Sequence, residues 1–170
     1  MVVAAPVVAA IVVSSREPAG AQIAPTGTLA ISVPSSVSLS TGTPINASSL
    51  SASMGNVTVT DTRTGVLTGW TASAASTDFT TGGASSYERI ARSSLSYWSG
   101  PATTTTGSGV FVPGQATAAL AAPLSGTVTA FSVSGVAGGT SATWRPTIVV
   151  RIPTGVVVGT YQGTITHSVS

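Results

Sequence analysis

The sequence predicts an all-β domain, a β-sandwich or barrel of about eight short strands. Three observations carry that expectation. Charged residues make up only 6% of the chain and apolar residues 42%. Much of the remainder is Ser, Thr and Gly, and the abundant Val, Thr and Ile pack best on a pleated sheet. Apolar and polar residues also alternate with period two, the signature of a half-buried strand. The alternation is cleanest at residues 161–170, where Tyr161, Gly163, Ile165, His167 and Val169 oppose Gln162, Thr164, Thr166 and Ser168. Finally, Gly, Pro and Asn punctuate these stretches at short intervals. Disorder would need few β-branched residues and a high net charge, whereas the formal charge is +2.

At 170 residues the chain is long enough for one sizeable core. Residues 2–13 form an apolar run too short to cross a bilayer as a helix. A polar stretch follows and ends in Ala19, Gly20 and Ala21, a small-x-small pattern ahead of Gln22. Residues 1–21 are therefore read as a secretory signal and residues 22–170 as a single domain. A buried first strand is the alternative, favoured by the lack of a leading positive charge and by Arg16 and Glu17 in the cleavage region. No stable membrane insertion is expected of the mature chain.

From Gly27, Leu29, Ile31 and Val33 alternate with Ala30 and Ser32 until Pro34, which cannot donate to a ladder. Val37 and Leu39 continue briefly, and residues 41–53 read as a loop. Residues 56–76 read as strand, turn and strand: Val57 and Val59, then Asp61 to Gly65, then Trp70, Ala72 and Ala74 on one face. Residues 78–83 read as a loop, 94–98 as a short strand, and 99–109 as a polar loop. Val110, Phe111 and Val112 start a strand that Pro113 and Gly114 end. Residues 116–123 are Ala-rich and read as extended because of Pro123 and the surrounding strands, with one helical turn as the alternative. A phase slip at Ala130 and Phe131 within residues 127–133 suits a bulge. Trp144, Ile148, Val150 and Ile152 share one parity, with Arg145, Thr147 and Arg151 on the other.

Composition excludes several function classes. All six basic residues are Arg, and those at 63, 89, 92, 145 and 151 are scattered rather than clustered, so nucleic acid is not an expected partner. The absence of Cys removes disulfides and thiolate metal sites. One histidine, His167, supplies neither a zinc site nor, at the end of an apolar strand face, a persuasive general base. It reads as a satisfied, partly buried side chain. Asp61, Asp78 and Glu88 are the acidic residues beyond residue 21. Asp61 and Asp78 stand in turn sequences where Asp bonds its own backbone, so a carboxylate pair for glycoside hydrolysis is not expected. No catalytic, cofactor or metal residue is assigned, and no enzyme activity is expected.

The remaining candidates are aromatic. Tyr97 and Trp98 point to opposite faces of a strand, so one of them is exposed and free to stack on a sugar ring. The alternative is that Trp98 caps a sheet edge. Trp70 and Trp144, in strongly alternating stretches, read as core.

The stretch VTVTDTRTGVLTGWTASAASTDF at 57–79 resembles the first motif region of the WxL-type surface domains of Gram-positive bacteria, in which a strand and a D-x-R turn lead into a Trp-x-Leu strand. TWRPTIVVRIPTGVVVGTYQGTITHSV at the other end is similar in placement to the second motif region, and YWSGP is closest to short secreted actinobacterial versions. Ala72 replaces the motif leucine, and the second Trp-x-Leu is missing. The resemblance implies a secreted, immunoglobulin-like antiparallel β-sandwich without cofactor, associated non-covalently with the cell wall. Its expected partner is peptidoglycan or another surface glycan or protein. It makes Trp70 the matched motif residue, with Asp61 and Arg63 in the preceding turn, and these join Tyr97 and Trp98 as candidate wall- or glycan-binding residues. No C-terminal apolar segment with a basic tail reads as a covalent sorting signal, which fits non-covalent attachment. A structural subunit pairing through the edge of residues 161–170 and a carbohydrate-binding module are the two rival expectations.

Overall fold

A computed structural model describes residues 8–16, 27–39, 48–64 and 69–170, the first of these segments by its backbone pairing alone. The described residues are all-β. They hold β1 (Val8–Arg16), β2 (Leu29–Ser32), β3 (Ser36–Ser38), β4 (Ser49–Ser53), β5 (Val57–Asp61), β6 (Trp70–Ser76), β7 (Phe79–Thr80) and β8 (Arg89–Ile90). The second half adds β9 (Leu95–Trp98), β10 (Ala102–Thr106), β11 (Val110–Pro113), β12 (Ala122–Pro123), β13 (Val128–Ser134), β14 (Thr140–Trp144), β15 (Thr147–Arg151) and β16 (Thr160–Val169). Short 3-10 turns are the only helical elements among these residues, so none is long and apolar enough to cross a membrane.

The first sheet runs β11-β13-β6-β16-β1-β3, with β7 and β8 attached beside β16. The second runs β10-β14-β5-β2 and the third β12-β9-β15-β4. Every pairing among the described residues is antiparallel except β1 with β16, which runs parallel from Val8↔Thr160 to Arg16↔Ser168. The second and third sheets are two halves of one bent layer, because β9 leads into β10, β4 into β5 and β14 into β15. Chain chemistry marks each bend. Pro146 has no N–H to donate, and its carbonyl instead accepts from Met54 N–H at 2.8 Å. Gly100, at φ +70°, turns the chain between β9 and β10 in the left-handed region that favours glycine.

Alternation fixes which side faces inward. Val57 and Val59 are buried while Thr60 is exposed, and Trp70, Ala72 and Ala74 are buried while Thr71 is exposed. Side chains from the first sheet meet those of the bent layer across a shared core. Phe131 on β13 stacks on Trp144 of β14 with centroids 4.9 Å apart and lies 6.2 Å from Trp70. The expected phase slip is a register shift between Thr129 and Phe131, and it leaves Ala130 and Phe131 both buried. Gly163 stands on the apolar face of β16 because the Phe79 ring occupies its side-chain position; an added Cβ would collide with that ring.

Several expectations are corrected. Residues 49–53, read as loop, form β4 with Leu50 buried, and Phe79, also read as loop, is wholly buried in β7. Ala102–Thr106, read as polar loop, is an edge strand. Its residues 103–106 are exposed, so no alternation betrays it. Within residues 116–123, Ala118–Leu120 makes a 3-10 turn, the alternative for that stretch, while Ala122–Pro123 is extended as expected. The closing strand is not an edge: β16 lies between β6 and β1. Apart from these corrections, Val8–Arg16, inside the expected signal, pairs as a strand with β16, which does not bear on whether residues 1–21 are processed. The cleavage region at residues 17–21 and residues 65–68 of the central turn lie outside the described residues.

Candidate functional site

The D-x-R turn joins the bent layer to the first sheet at the end of β5. Arg63 grips Asp61 with a fork: Nε donates to Oδ1 and Nη2 to Oδ2, each at 2.8 Å, while the Arg63 backbone N–H also donates to Oδ1 at 3.0 Å. Such bidentate pairing is the strong geometry for a guanidinium and a carboxylate. Burial pushes the Asp61 carboxyl up, but the Arg63 hydrogen bonds and charge outweigh it and hold it below the ordinary carboxylate value. Arg63 Nη2 also reaches the Gly69 carbonyl at 3.3 Å, which ties the turn to the start of β6. There Trp70 is buried, and its Nε1–H donates to Thr140 Oγ1 at 3.0 Å. Asp61, Arg63 and Trp70 together build a corner of the scaffold. Trp70 and Asp61, at 2% and 5% exposure, offer no surface to a wall polymer.

A second polar group lies inside the core. Trp144 Nε1–H donates to the Tyr97 hydroxyl at 3.4 Å, and that hydroxyl lies 3.1 Å from His167 Nε2. Indole can only donate, so the Tyr97 hydroxyl accepts from Trp144, and the direction of its hydrogen bond with His167 Nε2 follows the imidazole tautomer. His167 Nδ1 has no hydrogen-bond partner among the described residues. Burial lowers the His167 pKa to about 4 and raises that of the Tyr97 phenol. His167 is thus neutral, wholly buried and half satisfied, where the sequence suggested a satisfied, partly buried side chain. Tyr97 is equally buried and is removed from the glycan-binding candidates.

Trp98 is the aromatic candidate that faces outward. It is half-buried, while the preceding Tyr97 points to the core, as strand alternation requires. Thr147 lies directly across from it on β15. A Cβ on Gly100 would stand 3.5 Å from the Trp98 ring, so that glycine packs along the indole. At the same bend Arg145 Nε donates to Asn56 Oδ1 at 2.7 Å on the exposed side. Nothing local in the sequence joins Arg145, Asn56 and Thr147 to Trp98. Thr147 meets Trp98 only through the β9–β15 register, and Asn56 meets Arg145 from 89 positions away.

Among the described residues no group of three or more His, Asp or Glu side chains could hold a metal ion. Comparison with known proteins finds no family model that matches the chain. It also finds no matching curated relative.

Proposed function

We propose that this is a secreted, non-enzymatic surface protein, folded as an immunoglobulin-like antiparallel β-sandwich and held non-covalently at the cell wall through glycan contacts. The sandwich reading is supported by the bent layer packed against the first sheet through Phe131, Trp144 and Trp70. The observation that carries the functional reading is the outward placement of Trp98. Of the aromatic candidates Trp70, Tyr97 and Trp98, it alone is not fully buried, and it stands directly across from Thr147. The WxL resemblance at 57–79 points to the same setting, with Asp61, Arg63 and Trp70 serving as framework instead of ligand contacts.

Expression of the full chain in a Gram-positive host, with fractionation into medium, wall and cytoplasm, tests this reading. Recovery in the wall fraction, released by chaotrope without wall digestion, is expected. Retention in the cytoplasm overturns it.

The rival reading, a structural subunit pairing by strand edges, is favoured by one observation. Removal of residues 1–21 would take away Val8–Arg16 and open the β16 edge from Thr160 to Ser168. Mass and oligomeric state of the protein recovered from the medium separate the two: a chain beginning near Gln22 that assembles with concentration favours the rival.

A further inference from the structure

The register of the third sheet places a patterned surface around Trp98. Leu95, Tyr97, Ile148, Val150 and Leu50 point into the core, so their strand neighbours point out. The outward residues form rows across the strands. Trp98, Thr147 and Ser53 make the first row, and Ser96, Val149 and Ser51 the second. Arg151 opposite Ser49 ends the face. All of these are exposed or half-buried. Rows two residues apart lie about 7 Å from one another, and neighbouring strands about 4.8 Å. The face is therefore about as long as a short oligosaccharide.

Its chemistry is mixed in the way a sugar is mixed. The indole of Trp98 and the Val149 side chain suit the C–H faces of pyranose rings, and Thr147, Ser96 and Ser51 offer hydroxyls to the ring substituents. The charge is of one sign. Arg151 and Arg145 are exposed, and neither meets a carboxylate in an ion pair among the described residues. The acidic residues described lie elsewhere: Asp61 at the far end of β5 on Arg63, Asp78 on Arg89, and Glu88 in the loop before β8.

We propose that the outer face of the β9-β15-β4 sheet is a binding site for an anionic oligosaccharide, with one sugar ring stacked on Trp98 and a sugar carboxylate held by Arg151. This rests on the wall-associated reading and names the site and ligand class for it.

The test uses the full chain with isolated Gram-positive peptidoglycan sacculi, native or with carboxylates amidated, and separately with trigalacturonate in solution. Trp98→Ala is expected to weaken sacculus binding about tenfold or more, as loss of a central aromatic anchor does. Arg151→Gln, an exposed substitution that leaves the core untouched, is expected to weaken binding to native sacculi severalfold and to amidated sacculi not at all. Trp70 and Trp144 are buried, so quencher-accessible fluorescence reports Trp98, and trigalacturonate is expected to shield it. Sacculus binding that survives both substitutions overturns this site while leaving wall association intact. Absence of wild-type sacculus binding overturns the wall reading. If trigalacturonate then also leaves Trp98 fully quenchable, the site falls with it.

Discussion

Acidification offers the sharpest test of the buried network. His167 titrates at about 4 in the folded chain against an ordinary 6.5, and burial is the cause. Because the folded value lies below the unfolded one, the unfolded chain takes up the proton first as pH falls. The full stability is present above pH 6.5 and is lost progressively down to pH 4. Each pH unit between the two values is worth about 1.36 kcal/mol, so the loss over this window is about 3 kcal/mol. That is a large share of the roughly 5–15 kcal/mol that holds an ordinary domain together. Asp61 and Glu88, held below their ordinary values of 3.8 and 4.5, add their own losses only at the acid end of this window. Urea unfolding at pH 7.5, 6.5, 5.5 and 4.5 measures the slope. His167→Gln, whose amide oxygen can still accept from Tyr97, should be less stable at pH 7.5 but nearly flat between pH 6.5 and 4.5. Equal slopes for the wild type and the Gln variant would refute the assignment.

Three further outcomes follow from the packing. Arg63→Met leaves the Asp61 carboxylate largely buried without its fork and should cost about 2 kcal/mol in urea unfolding; wall association should be unchanged if the corner is scaffold. Gly163→Ala drives a methyl group into the Phe79 ring and should cost about 1–3 kcal/mol. Combined with Phe79→Ala, which removes the ring, the two losses should not add, and strict additivity in thermal unfolding would count against the contact. Thr140→Val keeps the shape but removes the acceptor of Trp70 Nε1–H, with an expected cost of about 1–2 kcal/mol and a change in near-UV circular dichroism from Trp70.

What could be read directly was strand parity. The Val57, Trp70, Trp144 and Tyr161 stretches face inward as their alternation says, because a strand with one buried face must place apolar residues two apart. The bulge at Phe131 was legible for the same reason, as a break in that period. Stretches without a buried face left no such mark. Ala102–Thr106 is a strand through its pairing with β14, and nothing in a row of threonines announces a partner. Phe79 looked like a loop residue because its strand is two residues long, and its burial depends on Gly163 standing 84 positions away.

The candidate site divides in the same manner. That one of Tyr97 and Trp98 must face out follows from local geometry, and the sequence determined it together with the all-β class. Which one faces out, and what surrounds it, was decided by the tertiary structure. Thr147 and Ser53 reach the row of Trp98 only because β15 pairs with both β9 and β4. Trp70, Asp61 and Arg63, prominent as a motif, became internal framework once β5 and β6 entered different sheets. Local periodicity records which way a side chain points relative to its own strand. Strand pairing joins residues far apart in sequence, and it decides which side chains share a surface.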